Sequence, residues 1–248
     1  MHYHLLTLLI LIFFGLAPSI VWLSLYLRKD THPEPKQMII KVFLLGAAIS
    51  PLAALIECIP SGFSQKGELI CHLLVYFSQC FHPPLGIFLY LMLIIAPTEE
   101  IIKYLVVRWK VIRSKEFDEP VDIMIYMIVA ALGFAALENI LVLFPLRDIV
   151  EMVSTSVLRF IGATFLHALC SGLIGYYLAL SFFETKKRTR LILTGFGLAI
   201  LLHGLYDSFI MIGGELELIG PLTILIGLFI SVFLGFKKVK KMKSVCLM

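Results

Sequence analysis

Long apolar runs alternate along this chain with short polar segments. Seven of the runs, Tyr3–Leu27, Met38–Cys58, Leu85–Val107, Val121–Phe144, Val157–Phe183, Leu191–Ile212 and Leu218–Phe236, are long enough to cross a bilayer. A spanning helix needs roughly 20 mostly apolar residues, so each run predicts one crossing. Together they predict an all-α fold, a polytopic transmembrane helix bundle. Ile70–Phe81 is also apolar but short for a crossing, and Gly67 and Pro83-Pro84 bracket it. It reads as a re-entrant or interfacial segment. A true eighth span there would invert everything upstream. The first run lacks a small-residue cleavage site, so it reads as a retained helix rather than a signal peptide.

Composition agrees with lipid as the solvent. Of 248 residues, 60% are hydrophobic and 15% charged, against about a quarter charged in soluble domains. Mean hydropathy is +0.97. The chain reads as one transmembrane domain over 1–248, with no room for a sizeable soluble domain. Basic residues cluster at run ends: Arg28 to Lys41, Arg108 to Lys115, Lys186 to Arg190 and Lys237 to Lys243. These clusters hold 17 of the 21 Lys and Arg, all on one side if seven spans are correct. The positive-inside rule then places the N-terminus outside and the C-terminus in the cytoplasm of a multi-pass cell-membrane protein. The lipid bilayer is a partner, and nothing points to nucleic acid. Five cysteines include no CxxC pair. Cys58, Cys71 and Cys80 lie close enough in sequence for a disulfide, although apolar packing is the simpler reading.

Polar residues inside the spans change the picture. A charge at mid-membrane costs at least about 2.5–3.5 kcal/mol on insertion scales. Yet the third to sixth spans carry Glu99, Glu100 and Lys103, then Glu138 and Asn139, then Arg159 and His167, then His203 and Asp207. Glu99 and Lys103 share a helix face, as do His203 and Asp207. Glu100 points about 100° away from Glu99, so one glutamate faces a site while the other supports it. Asp207 can fix the tautomer of His203. At about 1.5 Å per residue, Glu138, His167, His203 and Asp207 stand roughly 18–26 Å above the cytoplasmic helix ends. Glu99 and Glu100 come out lower unless the third helix continues past Trp109. One enclosed polar site within 85–212 is the economical account.

Such groups can bind a divalent metal that acidifies water and polarises a carbonyl. Without metal, a glutamate in a low-dielectric site can take a proton from water while a histidine stabilises the oxyanion. Both routes hydrolyse an amide. Singly, each residue also has a structural reading. Glu99–Lys103 is an internal ion pair, Glu138 with Asn139 an interhelical hydrogen-bond node, His167 a satisfied core histidine, and His203–Asp207 a structural pair. Arg159 reads as a snorkelling side chain near the boundary.

Several protease signatures are absent. There is no His-Glu-x-x-His, no Gly-x-Ser-x-Gly, and no Gly-x-Gly-Asp after Tyr206-Asp207. In contrast, Glu99-Glu100-Ile101-Ile102-Lys103 resembles the EExxK motif of the PrsW family of intramembrane proteases. Gly133-Phe134-Ala135-Ala136-Leu137-Glu138-Asn139 resembles its GFAxxEN segment. His167-Ala168-Leu169 and His203-Gly204-Leu205-Tyr206-Asp207 resemble its two histidine motifs. The motifs follow the family's order from Pro97 to Asp207, one to a span.

The resemblance implies an intramembrane endopeptidase, a metallo- or glutamate-type hydrolase, that cleaves a membrane-tethered protein substrate such as an anti-sigma factor at site 1. By it, Glu99 and Glu100 supply the activating carboxylate. Glu138, His167 and His203 supply ligands, to Zn2+ if a metal is used, or polarising groups, and Asp207 completes the catalytic set. Asp207 stands where prenyl-CAAX endopeptidases have Asn, and Glu138 where they have His, which disfavours that alternative. An ion- or proton-coupled transporter is the other rival, since buried acids also mark ion pathways. It would be favoured by inverted repeats, and none is visible.

Overall fold

A computed structural model describes residues 2–28, 34–57, 60–63, 69–71 and 82–242. Helix α1 (His2–Leu27) and α2 (Lys36–Glu57) precede a short antiparallel ribbon of β1 (Pro60–Phe63) and β2 (Leu69–Cys71), with Pro60 opposite Cys71. Next come α3 (Pro83–Tyr90), a π-helical turn over Leu91–Ile95 and α4 (Ala96–Lys110), which run on as one rod. Then follow α5 (Pro120–Leu143), α6 (Ile149–Ile161), α7 (Ala163–Phe183), α8 (Arg188–Ile212) and α9 (Ile219–Val239).

Among the described residues, seven helical stretches are long and apolar enough to cross a membrane. They match the seven predicted runs, so the fold is the predicted helix bundle of an integral multi-pass membrane protein. Ile70 and Cys71 belong to β2. The rest of the predicted interfacial segment, 72–81, lies outside the described residues, as do Cys58, Cys80 and any disulfide of that group. The fifth stretch begins at Ile149, eight residues earlier than predicted, because α6 is amphipathic and its charged face dilutes the apolar run.

The bundle is built around α5. Its hydrophobic window is 94% buried, whereas that of α1 is 22% buried. Helices α1, α2 and α7 pack around α5, and α8 and α9 pack on α7. Pro120 opens α5 at a position where a missing N–H costs nothing, and Glu119 and Asp122 cap it reciprocally. Outer faces carry apolar side chains such as Phe13, Leu44 and Leu55, while Glu100, Lys103, His167, His203 and Asn139 are buried inside. That is a bundle made for lipid.

Lipid tails are as apolar as leucine, so close backbone contact drives helix association there. A Cβ on Gly46 would lie 2.1 Å from the carbonyl oxygen of Ala130, and one on Gly133 would lie 2.0 Å from that of Phe43. The two glycines therefore press α2 and α5 together reciprocally. Helices α6 and α7 meet at Gly162, whose φ of −97° and ψ of −100° break the long fifth stretch. The carbonyl of Phe160 freed near that break accepts a hydrogen bond from Trp22 Nε1 at 2.8 Å. Trp22 also stacks on Phe165, with centroids 4.1 Å apart.

Candidate active site

Four helices bring the sequence-predicted residues together. Pro97 lacks an N–H and its ring crowds the carbonyl four residues back, at Leu93. The chain answers with the π-helical turn over Leu91–Ile95 directly before the acidic motif. Helix α4 then continues to Lys110, one residue past Trp109. Contacts of both Glu99 and Glu100 with the histidines put the acidic pair at their level, where the shorter predicted span had it lower. On α8, Gly204 lets the backbone close on Met92 in the π-helical turn.

Lys103 sits at the centre, fully buried. Its Nζ lies 2.7 Å from Glu100 Oε1, 3.4 Å from Glu99 Oε2 and 3.0 Å from His167 Nδ1, with the Phe134 ring at 5.0 Å. An ammonium only donates, so His167 Nδ1 accepts and the ring proton sits on Nε2. That Nε2–H points to Glu138 Oε2 at 2.8 Å. The other oxygen of Glu138 pairs with Arg159 Nη2 at 2.9 Å. Arg159 also donates from Nε to Asn139 Oδ1, and Asn139 donates to Thr164 Oγ1 at 3.0 Å. Arg159 thus faces inward and holds the site, rather than snorkelling as its position near a span end implied.

The two adjacent glutamates divide their work. Glu100 is sealed in, accepting from Lys103, from His203 Nδ1 at 2.8 Å and from Ser171 Oγ at 3.3 Å. Glu99 has a side chain 8% exposed and only longer contacts: 3.4 Å to Lys103 Nζ, 3.5 Å to His167 Nδ1 and 3.7 Å to His203 Nε2. Asp207, 24% exposed, lies 3.3 Å from His203 Nε2. With Nδ1–H given to Glu100, the Nε2 edge of His203 faces two carboxylates, Glu99 and Asp207. A proton or a cation on that edge removes the repulsion.

Ligand atoms of Glu99, His167 and His203 lie within 4.8 Å of one another. The 3.5 and 3.7 Å separations are close to the roughly 3.4 Å edge that follows from ligands held at about 2.0–2.1 Å. Two imidazoles and one carboxylate are a zinc-type donor set that leaves a position open. Charge points the same way, since Glu57, Glu99, Glu100, Glu138 and Asp207 face Lys103 and Arg159 as the fixed cations. The residues therefore fit a divalent metal, provided Lys103 releases His167 Nδ1. A second group, Glu100, Cys170 and His203, is also compact, but Lys103 and His203 already occupy Glu100. Glu138, which the sequence grouped with the metal ligands, stands behind His167 and outside both groups.

Two residues that bear on this site, Ser171 and Glu57, are not among those the sequence singles out. Ser171 follows His167 by one helical turn, a usable signal, whereas Glu57 reaches the site from a different helix and gives none. Lys103 and Arg159 stand out in the sequence as polar residues within spans, but their partners on other helices do not; EExxK spacing does place Lys103 against both glutamates.

The sequence profile described as PrsW family intramembrane metalloprotease matches residues 34–235. A protease PrsW of Geobacillus kaustophilus (strain HTA426) is 32% identical over 194 residues, covering 78% of this chain and 76% of its own. One from Oceanobacillus iheyensis is 30% identical over 194 residues, 78% of this chain and 79% of its own. One from Bacillus subtilis (strain 168) is 29% identical over 236 residues, 94% of this chain and 96% of its own. No solved structure matches the chain. Ordered motifs, a buried carboxylate–imidazole cluster and these relatives agree: the chain belongs to the PrsW family of intramembrane metalloproteases.

Proposed function

We propose that Glu99 is the reactive carboxylate of this intramembrane peptidase, and that its substrate is a membrane-tethered protein cut near the outer leaflet. The supporting observation is the convergence of Glu99 on His167 Nδ1 and His203 Nε2 at 3.5 and 3.7 Å, on the open side of a cluster that Lys103 and Glu100 hold shut. Glu99 is the least engaged glutamate of the motif, so it is free to take a proton from water attacking the peptide carbonyl. His203, held at Nδ1 by Glu100 and flanked by Asp207, presents its Nε2 edge to the same space. His167, oriented by Glu138 and Arg159, forms the opposite wall.

Where zinc is held, Glu99, His167 and His203 are the residues that would hold it, and the proton-accepting role of Glu99 belongs to the metal-free route. When bound, the metal supplies a Lewis acid and a more acidic water. The protein's own work is orientation: Glu100 holds His203 at Nδ1, and Glu138, paired with Arg159, holds His167 at Nε2. The basic helix ends support an N-terminus outside and a C-terminus in the cytoplasm of the cell membrane. The site then lies in the outer half of the bilayer, where a single-span protein such as an anti-sigma factor can be cut at site 1.

Purified protein in detergent with a single-span substrate tests this reading. Glu99→Gln should abolish cleavage while the thermal transition is kept. Retained cleavage in Glu99→Gln and His203→Ala would remove the assignment. Metal content, measured in the same samples, should fall in His167→Ala and His203→Ala if zinc is the cofactor.

A further inference from the structure

Resting on the reading of this cluster as a peptidase site, we propose that Glu57 is a specificity-determining residue, a carboxylate at the mouth of the site that receives a lysine or arginine side chain of the substrate beside the scissile bond.

Glu57 is the last residue of α2, at the end away from Lys36 and Lys41. Its backbone carbonyl accepts a hydrogen bond from Tyr90 Oη at 2.7 Å, which pins the end of α2 to α3. Its carboxylate lies within electrostatic reach of Glu99, Glu138, Lys103 and His203, which places it beside the same cluster. It differs from the other carboxylates there in one respect. Glu99, Glu100 and Glu138 each lie against a cationic side chain. Glu57 Oε1 is buried without a hydrogen-bond partner among the described residues.

A carboxyl oxygen buried out of water without a hydrogen-bond partner is costly. Two other carboxylates nearby increase that cost. The residue as a whole is only partly covered, so its side chain is not sealed into the core. Lys103 and Arg159 are already committed to other acids. Even a divalent cation in the Glu99, His167, His203 set leaves the chamber with negative charge to spare. The group that completes Glu57 is therefore a cation that arrives with the substrate. Discrimination follows because an uncharged side chain there would leave the oxygen buried and unpaired.

The test walks Lys, Gln and Glu through the positions flanking the cut of a single-span substrate, using the purified full-length chain. At one position, wild type should prefer Lys over Gln by about tenfold in kcat/KM, mainly through KM. Glu57→Gln should bring that ratio to within about twofold, and Glu57→Lys should shift the preference toward Glu. Binding of the same substrates to Glu99→Gln and to the double variant Glu57→Gln/Glu99→Gln reads recognition without turnover. The Lys preference should be present in the first and lost in the second. A Lys to Gln ratio near one at every position in wild type overturns the proposal. So does a ratio that Glu57→Gln leaves unchanged, or an equal loss on all substrates. If wild type cuts nothing while the binding preference stands, the peptidase reading fails and the recognition site survives.

Discussion

Lys103 is the most deeply buried cation of the site, paired with two glutamates, and its removal should show it. Taking away one partner of a buried ion pair leaves an uncompensated charge and costs about 3–5 kcal/mol. Lys103→Met should therefore lower the thermal transition of the purified protein sharply, whereas an exposed lysine such as Lys187 should not. Glu99 and Glu100 should separate by the same measurement. Glu99→Gln is expected to lose at least about 10²-fold in kcat, the usual weight of a general base, with the transition kept. Glu100→Gln should lose both, because it strands Lys103 and frees His203 Nδ1. Arg159→Ala should cost about 10–100-fold in kcat by releasing Glu138 from behind His167. A loss confined to KM would argue against that supporting role. Helical spacing made the Glu99–Lys103 and His203–Asp207 pairings legible. Lys103 to His167, 64 residues apart, was not, because no local periodicity encodes the rotation of one helix against another.

Among the elements, α5 has the least freedom to change. Gly133→Ala places a methyl against the Phe43 backbone, and such overpacking costs about 1–3 kcal/mol or more. Gly197→Ala, with nothing within 4 Å, should be neutral in the same thermal assay. In the sequence Gly133 shows only as the first residue of the motif that ends at Asn139. Its close approach to Phe43, and that of Gly46 to Ala130, became identifiable only once the helices were placed. Pro97 is a second element-level device. Pro97→Ala restores a donor to the Leu93 carbonyl and removes the reason for the π-helical turn, so Glu99 should rotate from His203. Activity should fall with stability kept or raised, and lower stability with full activity would reject this account.

For the molecule as a whole, the basic helix ends carry the orientation. Cysteines placed at Lys187 and Lys241 should react with a membrane-impermeant thiol reagent only in opened vesicles or cells, and one at Glu215 also in intact cells. Labelling of all three from outside would overturn the proposed topology. The run lengths alone determined seven crossings, because a bilayer of about 30 Å demands a helix of fixed length wherever it is crossed. Charge cost alone pointed to one enclosed site, because isolated ions do not survive in lipid. The division of labour within that site depended on packing. Which glutamate is sealed in and which keeps only longer contacts, that Arg159 turns inward, and that Glu57 Oε1 has no hydrogen-bond partner among the described residues all follow from how separate helices rotate and tilt. Those angles are set by backbone contacts such as Gly46 with Ala130 and Gly133 with Phe43, and close contact between distant segments leaves no periodic trace in the chain.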